Sequence, residues 1–117
     1  MMMKKLELRE RELDGAHVID IVGELTAGSG TETLLEVVRK SLEAGRRLLL
    51  VNLKECRRVD SSGIGELVTC LVTATRQDAV LRLTSIPQQI RGLMKMTNVL
   101  KAFEVFDTDE AAIKQQG

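Results

Sequence analysis

Leu48-Leu49-Leu50-Val51-Asn52-Leu53 and, shortly after it, Val59-Asp60-Ser61-Ser62-Gly63-Ile64-Gly65-Glu66-Leu67 decide how this chain folds. The run Leu48 to Val51 is apolar without alternation, the pattern of a strand buried on both faces. Such strands belong to sheets covered by helices. Beyond the turn, Ile64, Leu67, Val68, Leu71, Val72 and Thr75 recur at the spacing of an amphipathic helix. Lys54 to Arg58 reads as a short loop delivering the chain to Asp60. Strand, turn and helix together put two adjacent hydroxyls, Ser61 and Ser62, at the mouth of a helix. Asp60 flanks them on one side, and Gly63 and Gly65 on the other.

Working outward, Leu6 to Leu13 alternates weakly and reads as an edge strand. Asp14-Gly15 is a hairpin turn signal. His17 to Val22 alternates as a second strand, closed by Gly23-Glu24-Leu25. Small residues from Thr26 to Gly30 form a loop. Ser29 with Glu32 fits a capping box for a helix carrying Leu34, Leu35, Val37, Val38 and Leu42, with Gly45 as its stop. Downstream, Ala79 to Leu83 reads as a strand. Ser85 with Gln88, and Pro87 in the first turn, open a third helix presenting Ile90, Leu93, Met94 and Thr97. Ala102 to Phe106 is a last short strand. Asp107 with Glu110 caps a terminal helix that buries Ala111, Ala112 and Ile113. The order β-β-α-β-α-β-α-β-α predicts an α/β fold: one mixed, mainly parallel sheet packed with helices and opened by an antiparallel hairpin. No repeat, low-complexity segment or linker divides the chain, so residues 1–117 are expected to form a single domain.

Composition narrows the function. The chain has 117 residues and 44% hydrophobic content, enough for one core. That apolar mass is aliphatic: two Phe, no Trp and no Tyr supply no stacking platform for nucleic acid. Lys plus Arg number 17 and so do Asp plus Glu, so no basic footprint for nucleic acid is expected. Local asymmetry remains, with Lys54, Arg57 and Arg58 before Asp60 and Glu104, Asp107, Asp109 and Glu110 near the C-terminus. The first group reads as a solvated loop, with steering a kinase or holding a phosphate as the alternative. No apolar run is long enough to span a membrane. Met1 to Lys5 leads into alternating charges rather than the apolar core of a signal peptide. A cytoplasmic protein without membrane insertion is the expectation. Cys56, Cys70 and the single His17 make no metal-site pattern, and no metal or cofactor is expected. Both cysteines read as plain thiols, Met94 as core, His17 as a half-exposed strand residue, and Lys4 to Glu12 as a solvated strand face.

In open α/β sheets function gathers at the carboxyl ends of the strands, where Asp60 stands. A helix N-terminus offers free N–H groups and partial positive charge, accepts an N-cap hydroxyl and tolerates a phosphate. Gly63 and Gly65 remove side chains beside the hydroxyls and open the turn to a kinase active site or a partner's helix. A phosphate adds about −1.5 to −2 charges at neutral pH and would turn a neutral surface repulsive to an acidic partner. A purely structural role stays open, because Asp and Ser are good N-caps and Gly relieves a tight turn. Ser61 as a nucleophile lacks a nearby base, His17 being on an early strand. Gly63-Ile64-Gly65 also lacks the later Gly and the Lys-Ser/Thr of a phosphate-cradling loop. The chain therefore reads as no enzyme.

Val59 to Leu67, after Leu48 to Leu53, closely resembles the signature of STAS domains, the sulphate-transporter and anti-sigma-factor-antagonist family. Val22-Gly23-Glu24-Leu25, Leu81-Arg82-Leu83 with Ile86-Pro87, and Val99 to Phe106 resemble further family segments in the same order. In the stand-alone antagonist branch, the resemblance implies a protein that binds an anti-sigma factor serine kinase and frees a sigma factor. The kinase then phosphorylates the hydroxyl after the motif Asp, and a serine phosphatase restores binding. Carried over by position, the phosphoacceptor is Ser61 and Asp60 orients the turn. Ser62, Gly63, Ile64 and Gly65 form the contact surface, with Glu66 and Thr69 at its edge. The chain departs from the family at Thr26, beside the switch turn, where Asp is frequent. Two other readings follow from the same residues. One is a constitutive STAS scaffold or accessory subunit of a signalling assembly or membrane transporter. The other is a receiver-type switch phosphorylated on Asp60, which needs an acidic pair to hold magnesium where Gly23-Glu24-Leu25-Thr26 supplies one acid.

Overall fold

Asp14 and Gly15 both have positive φ, 46° and 86°, as a tight two-residue hairpin requires. The turn sets β1 (Leu6–Leu13) antiparallel to β2 (Ala16–Leu25) with Leu13 opposite Ala16. The computed structural model describes residues 5–30 and 32–115, so Lys4 of the charged N-terminal face lies outside it. The elements that follow are α1 (Leu34–Glu43), β3 (Leu48–Asn52), β4 (Cys56–Val59), α2 (Ser61–Arg76), β5 (Val80–Thr84), α3 (Gln88–Met96), a 3-10 turn (Leu100–Ala102), β6 (Glu104–Phe106) and α4 (Asp109–Lys114). The sheet runs β1-β2-β3-β5-β6, parallel except at the opening hairpin. β2 is long enough to pair with β3 through Asp20 and then, further along, with β4 from Gly23.

This is the expected mixed, mainly parallel sheet, with one strand more than expected. Lys54 to Arg58 is no plain loop: Cys56–Val59 is a strand. Its register slips between Gly23 and Glu24, with Gly23 opposite Cys56 and Glu24 opposite Arg58. That bulge breaks the alternation by which a strand is recognised in sequence.

One face of the sheet carries the main core. Ile19, Ile21, Leu49, Val51 and Leu83 meet Leu34 and Val37 of α1, Leu67 and Cys70 of α2, and Ile90 and Met94 of α3. Each fully buried aliphatic side chain contributes about 1.5–3 kcal/mol. The inward face of α2 is Gly63, Ile64, Leu67, Cys70 and Ala74. The predicted stripe was rotated, since Val72 is 41% exposed and Thr75 lies on the surface. Small residues let α2 pack closely, and a reading that weights large aliphatics passes over them. His17, expected half-exposed, is buried at 6% because β1 sets a carboxylate against each ring nitrogen, Glu10 on Nε2 at 2.7 Å and Glu12 on Nδ1.

The caps also differ from expectation. Thr33, not Ser29, caps α1 in a capping box with Glu36. Ser85 makes no cap to α3; its φ is 54° and its hydroxyl donates to the Asp107 carbonyl at 3.0 Å. Thr108, not Asp107, caps α4 through the Ala111 amide. The last strand starts at Glu104, behind the 3-10 turn.

α4 covers the opposite face of the sheet and packs its Ala112 against Ala16, Val18 and Leu50. Six residues are too few for a self-supporting helix. Buried polar groups fasten it at both ends. The Asp109 carboxylate accepts from Arg11 Nη2 at 2.7 Å, Thr84 Oγ1 at 2.6 Å and Asn52 Nδ2 at 3.1 Å. The buried Arg82 donates to the Ala112 and Gln115 carbonyls at 2.8 and 2.9 Å. Burial opposes ionisation of Asp109, but the hydrogen bonds from Thr84, Arg11 and Asn52 outweigh it and hold the group below its ordinary value. The sign of the linkage follows. This stabilisation is present above the unfolded carboxyl value of about 3.9 and is lost as pH falls through the lower folded value. Asp109→Asn should cost about 1–3 kcal/mol near neutrality and flatten the acid limb of the stability profile, measured by urea unfolding between roughly pH 2.5 and 7.

Candidate functional site

Asp60 leaves β4 in extended conformation and caps α2. Its Oδ1 accepts from the Gly63 amide at 2.9 Å, and its Oδ2 accepts from the Ala27 amide at 3.2 Å. The same carboxylate thus starts the helix and holds the loop that follows β2. The Gly63 amide is the main cause holding Asp60 below its ordinary value, overcoming a small desolvation penalty; the Ala27 and Ser62 amides and the charge of Arg58 add to it. The group is ionised at neutral pH. A receiver role for Asp60 is not favoured: amides occupy both its oxygens. Among the described residues no group of three or more His, Cys, Asp and Glu is arranged to hold a metal.

The loop closes on itself. Ser29 Oγ donates to the Thr26 carbonyl at 2.7 Å and accepts from the Thr26 amide at 3.3 Å, which is why Ser29 is buried here instead of capping a helix. Gly63 fixes how near the two segments come. A Cβ built there would lie 2.0 Å from the Leu25 carbonyl oxygen, whereas one at Gly65 would meet nothing within 4 Å. The two glycines therefore have different causes: close backbone approach at Gly63, and an open surface at Gly65.

The predicted site residues separate by exposure. Ser61 and Ser62, the first two residues of α2, are exposed, as are Gly65 and Thr69. Gly63 and Ile64 are buried and seat the turn. Thr26 and Glu66 are half-buried beside a groove of about 400 Å³ between the Thr26–Gly30 loop, the start of α1 and the first turns of α2. Glu66 has a role that spacing did not reveal: its Oε2 accepts from the Leu35 amide at 3.1 Å. It caps the neighbouring helix from across the groove, a contact between residues 31 positions apart with no local signal. Cys56 and Cys70 are free and buried, and burial pushes the Cys70 thiol up to about 12. Gly63→Ala should destabilise the protein by more than about 2 kcal/mol despite alanine's better helix propensity, while Gly65→Ala should be neutral or stabilise it by up to about 1 kcal/mol. Chemical unfolding of the two variants side by side measures the contrast.

The fold recurs in solved structures. The anti-sigma factor antagonist from Mycobacterium paratuberculosis superposes with a TM-score of 0.80 at 15% identity, over 94% of this chain and 92% of that one. The Bacillus cell fate determinant SpoIIAA, solved in its phosphorylated form, gives 0.66 at 18% identity over 92% of this chain and 96% of that one. A sulfate transporter family protein from Wolinella succinogenes gives 0.67 at 15% identity over 86% and 83%. At these identities the likeness is one of fold. No helix among the described residues is long and apolar enough to cross a membrane. The STAS domain model matches residues 7–112, nearly the whole chain, and on that match the chain belongs to the STAS domain family.

Proposed function

We propose that this protein is an anti-sigma factor antagonist that binds an anti-sigma serine kinase through the turn into α2 and is switched off by phosphorylation of Ser61. The observation that carries the reading is the placement of Ser61. It is exposed, in the first turn of a 16-residue helix, on a turn that Asp60 ties at two points. A phosphate at that position meets the positive end of the helix. The surroundings suit a charge-controlled contact. From Ser61 to Thr75 the only charged residue is Glu66, and its carboxylate is engaged by the Leu35 amide. Thr69 and Thr73 turn their hydroxyls back onto the Gly65 and Thr69 carbonyls, so the outer face of α2 is neutral and weakly polar. On such a face a phosphate is the dominant new charge.

SpoIIAA, similar in fold, is an anti-sigma factor antagonist with structures in unphosphorylated and phosphorylated forms. In this reading the kinase supplies nucleotide and magnesium, a serine phosphatase reverses the modification, and the chain itself performs no catalysis. Ser62, Gly65 and Thr69 offer the contact surface, with Thr26 and Glu66 at the groove beside it and Gly63 and Ile64 beneath.

Affinity capture from the host's lysate, with wild-type and Ser61→Asp proteins as baits, tests the proposal. A small serine-kinase-like ATPase held by the wild type and lost on Ser61→Asp is the expected result. Retention of one large assembly or transporter subunit by both baits would replace the switch with a constitutive scaffold.

A further inference from the structure

β4 carries a second feature, in the bulge that hid it from the sequence. Cys56 pairs with Gly23 and Arg58 with Glu24, so Arg57 is the inserted residue. In a regular strand successive side chains alternate, and one of two neighbouring arginines would point to the buried side. The extra residue changes that. Cys56 and Val59 are buried, and Arg57 and Arg58 are both exposed. Bulges re-aim side chains in this way, often beside functional sites.

Those guanidinium groups are not used within the described structure. Arg9, Arg11, Arg46, Arg82 and Arg91 each have a carboxylate partner. Lys54, Arg57 and Arg58 have none among the described residues, although Glu24 lies opposite Arg58 in register; Lys5, Arg39, Arg47, Arg76, Lys95, Lys101 and Lys114 have none either, and what sets these three apart is their place beside the Asp60 turn. Three cations against Glu55 leave two net positive charges in the segment that runs directly into Asp60 and Ser61. Arg58 is near enough to Asp60 for its charge to be felt there.

We infer that Lys54, Arg57 and Arg58 form a cationic docking face for an acidic surface of the partner, and that phosphate on Ser61 acts by cancelling this charge. The inference deepens the proposed function and rests on it for the identity of the partner. A phosphoserine brings about −1.5 to −2 charges, which outweighs the one net positive charge that remains when the ionised Asp60 is counted with Lys54, Glu55, Arg57 and Arg58. An acidic surface drawn to the unmodified face then meets a negative one.

The direct test needs no kinase. A decaglutamate peptide is titrated into isotope-labelled protein at roughly 50 and 300 mM salt, following amide shifts. The expected shifts centre on residues 54–62 and fade at the higher salt. Arg57→Glu/Arg58→Glu should abolish them, and Arg57→Gln/Arg58→Gln, the gentler pair, should weaken binding at least about fourfold. Ser61→Asp should weaken binding about twofold. Arg47→Glu, at the opposite end of the sheet, should change nothing. Shifts centred on Arg46 and Arg47, unchanged affinity in the Arg57/Arg58 pairs, or no binding at low salt would overturn the inference. The two proposals fail separately. A kinase captured equally well by the Arg57/Arg58 variants removes the docking face and leaves the switch. Peptide binding as expected, without kinase capture by the wild type, does the reverse.

Discussion

A single carboxylate holds the site together. Asp60 accepts from the Gly63 amide on one side and the Ala27 amide on the other, joining the start of α2 to the loop that leaves β2. The absence of a side chain at Gly63 allows the helix to approach the Leu25 carbonyl closely enough for both bonds to form. Ser61 and Ser62 are exposed as a consequence, because the residues after them are committed inward. Glu66 extends the linkage by capping α1 through Leu35, so the first turns of two helices and one loop share a common set of hydrogen bonds.

The sheet supplies the platform. β2 is long enough to pair with β3 near its start and β4 near its end, which brings the chain out beside Leu25 at the level where Asp60 is needed. The main core under α1, α2 and α3 fixes that platform by apolar burial. The other face depends more on polar groups: Asp109 and Arg82 hold the two ends of a helix too short to be stable alone.

Much of this was legible in the sequence, for identifiable reasons. Asp14-Gly15, the unbroken Leu48–Val51 run and Met94 carry strong local or burial signals, and they occupy the expected places. Asp60 as a cap was also readable, since an N-cap bond spans three residues. What was missed depends on distant partners. β4 was hidden because a bulge placed its buried residues at Cys56 and Val59 instead of at alternate positions. Ser29, Ser85 and Asp107 resemble caps, yet Ser29 closes its own loop and Ser85 donates to the Asp107 carbonyl. His17 read as half-exposed because nothing local announces that Glu10 and Glu12 will face its ring from the neighbouring strand. The bridge from Asp60 to Ala27 and the cap from Glu66 to Leu35 likewise exist only once the chain is folded.

The most direct measurement of the central claim is to incubate the protein with host extract and ATP, then locate any phosphate by fragment mass spectrometry. The account predicts a single phosphate on Ser61, absent from Ser61→Ala and present in Ser62→Ala. Phosphate on Ser62 or elsewhere in place of Ser61, or none at all in an extract that phosphorylates other proteins, would contradict it.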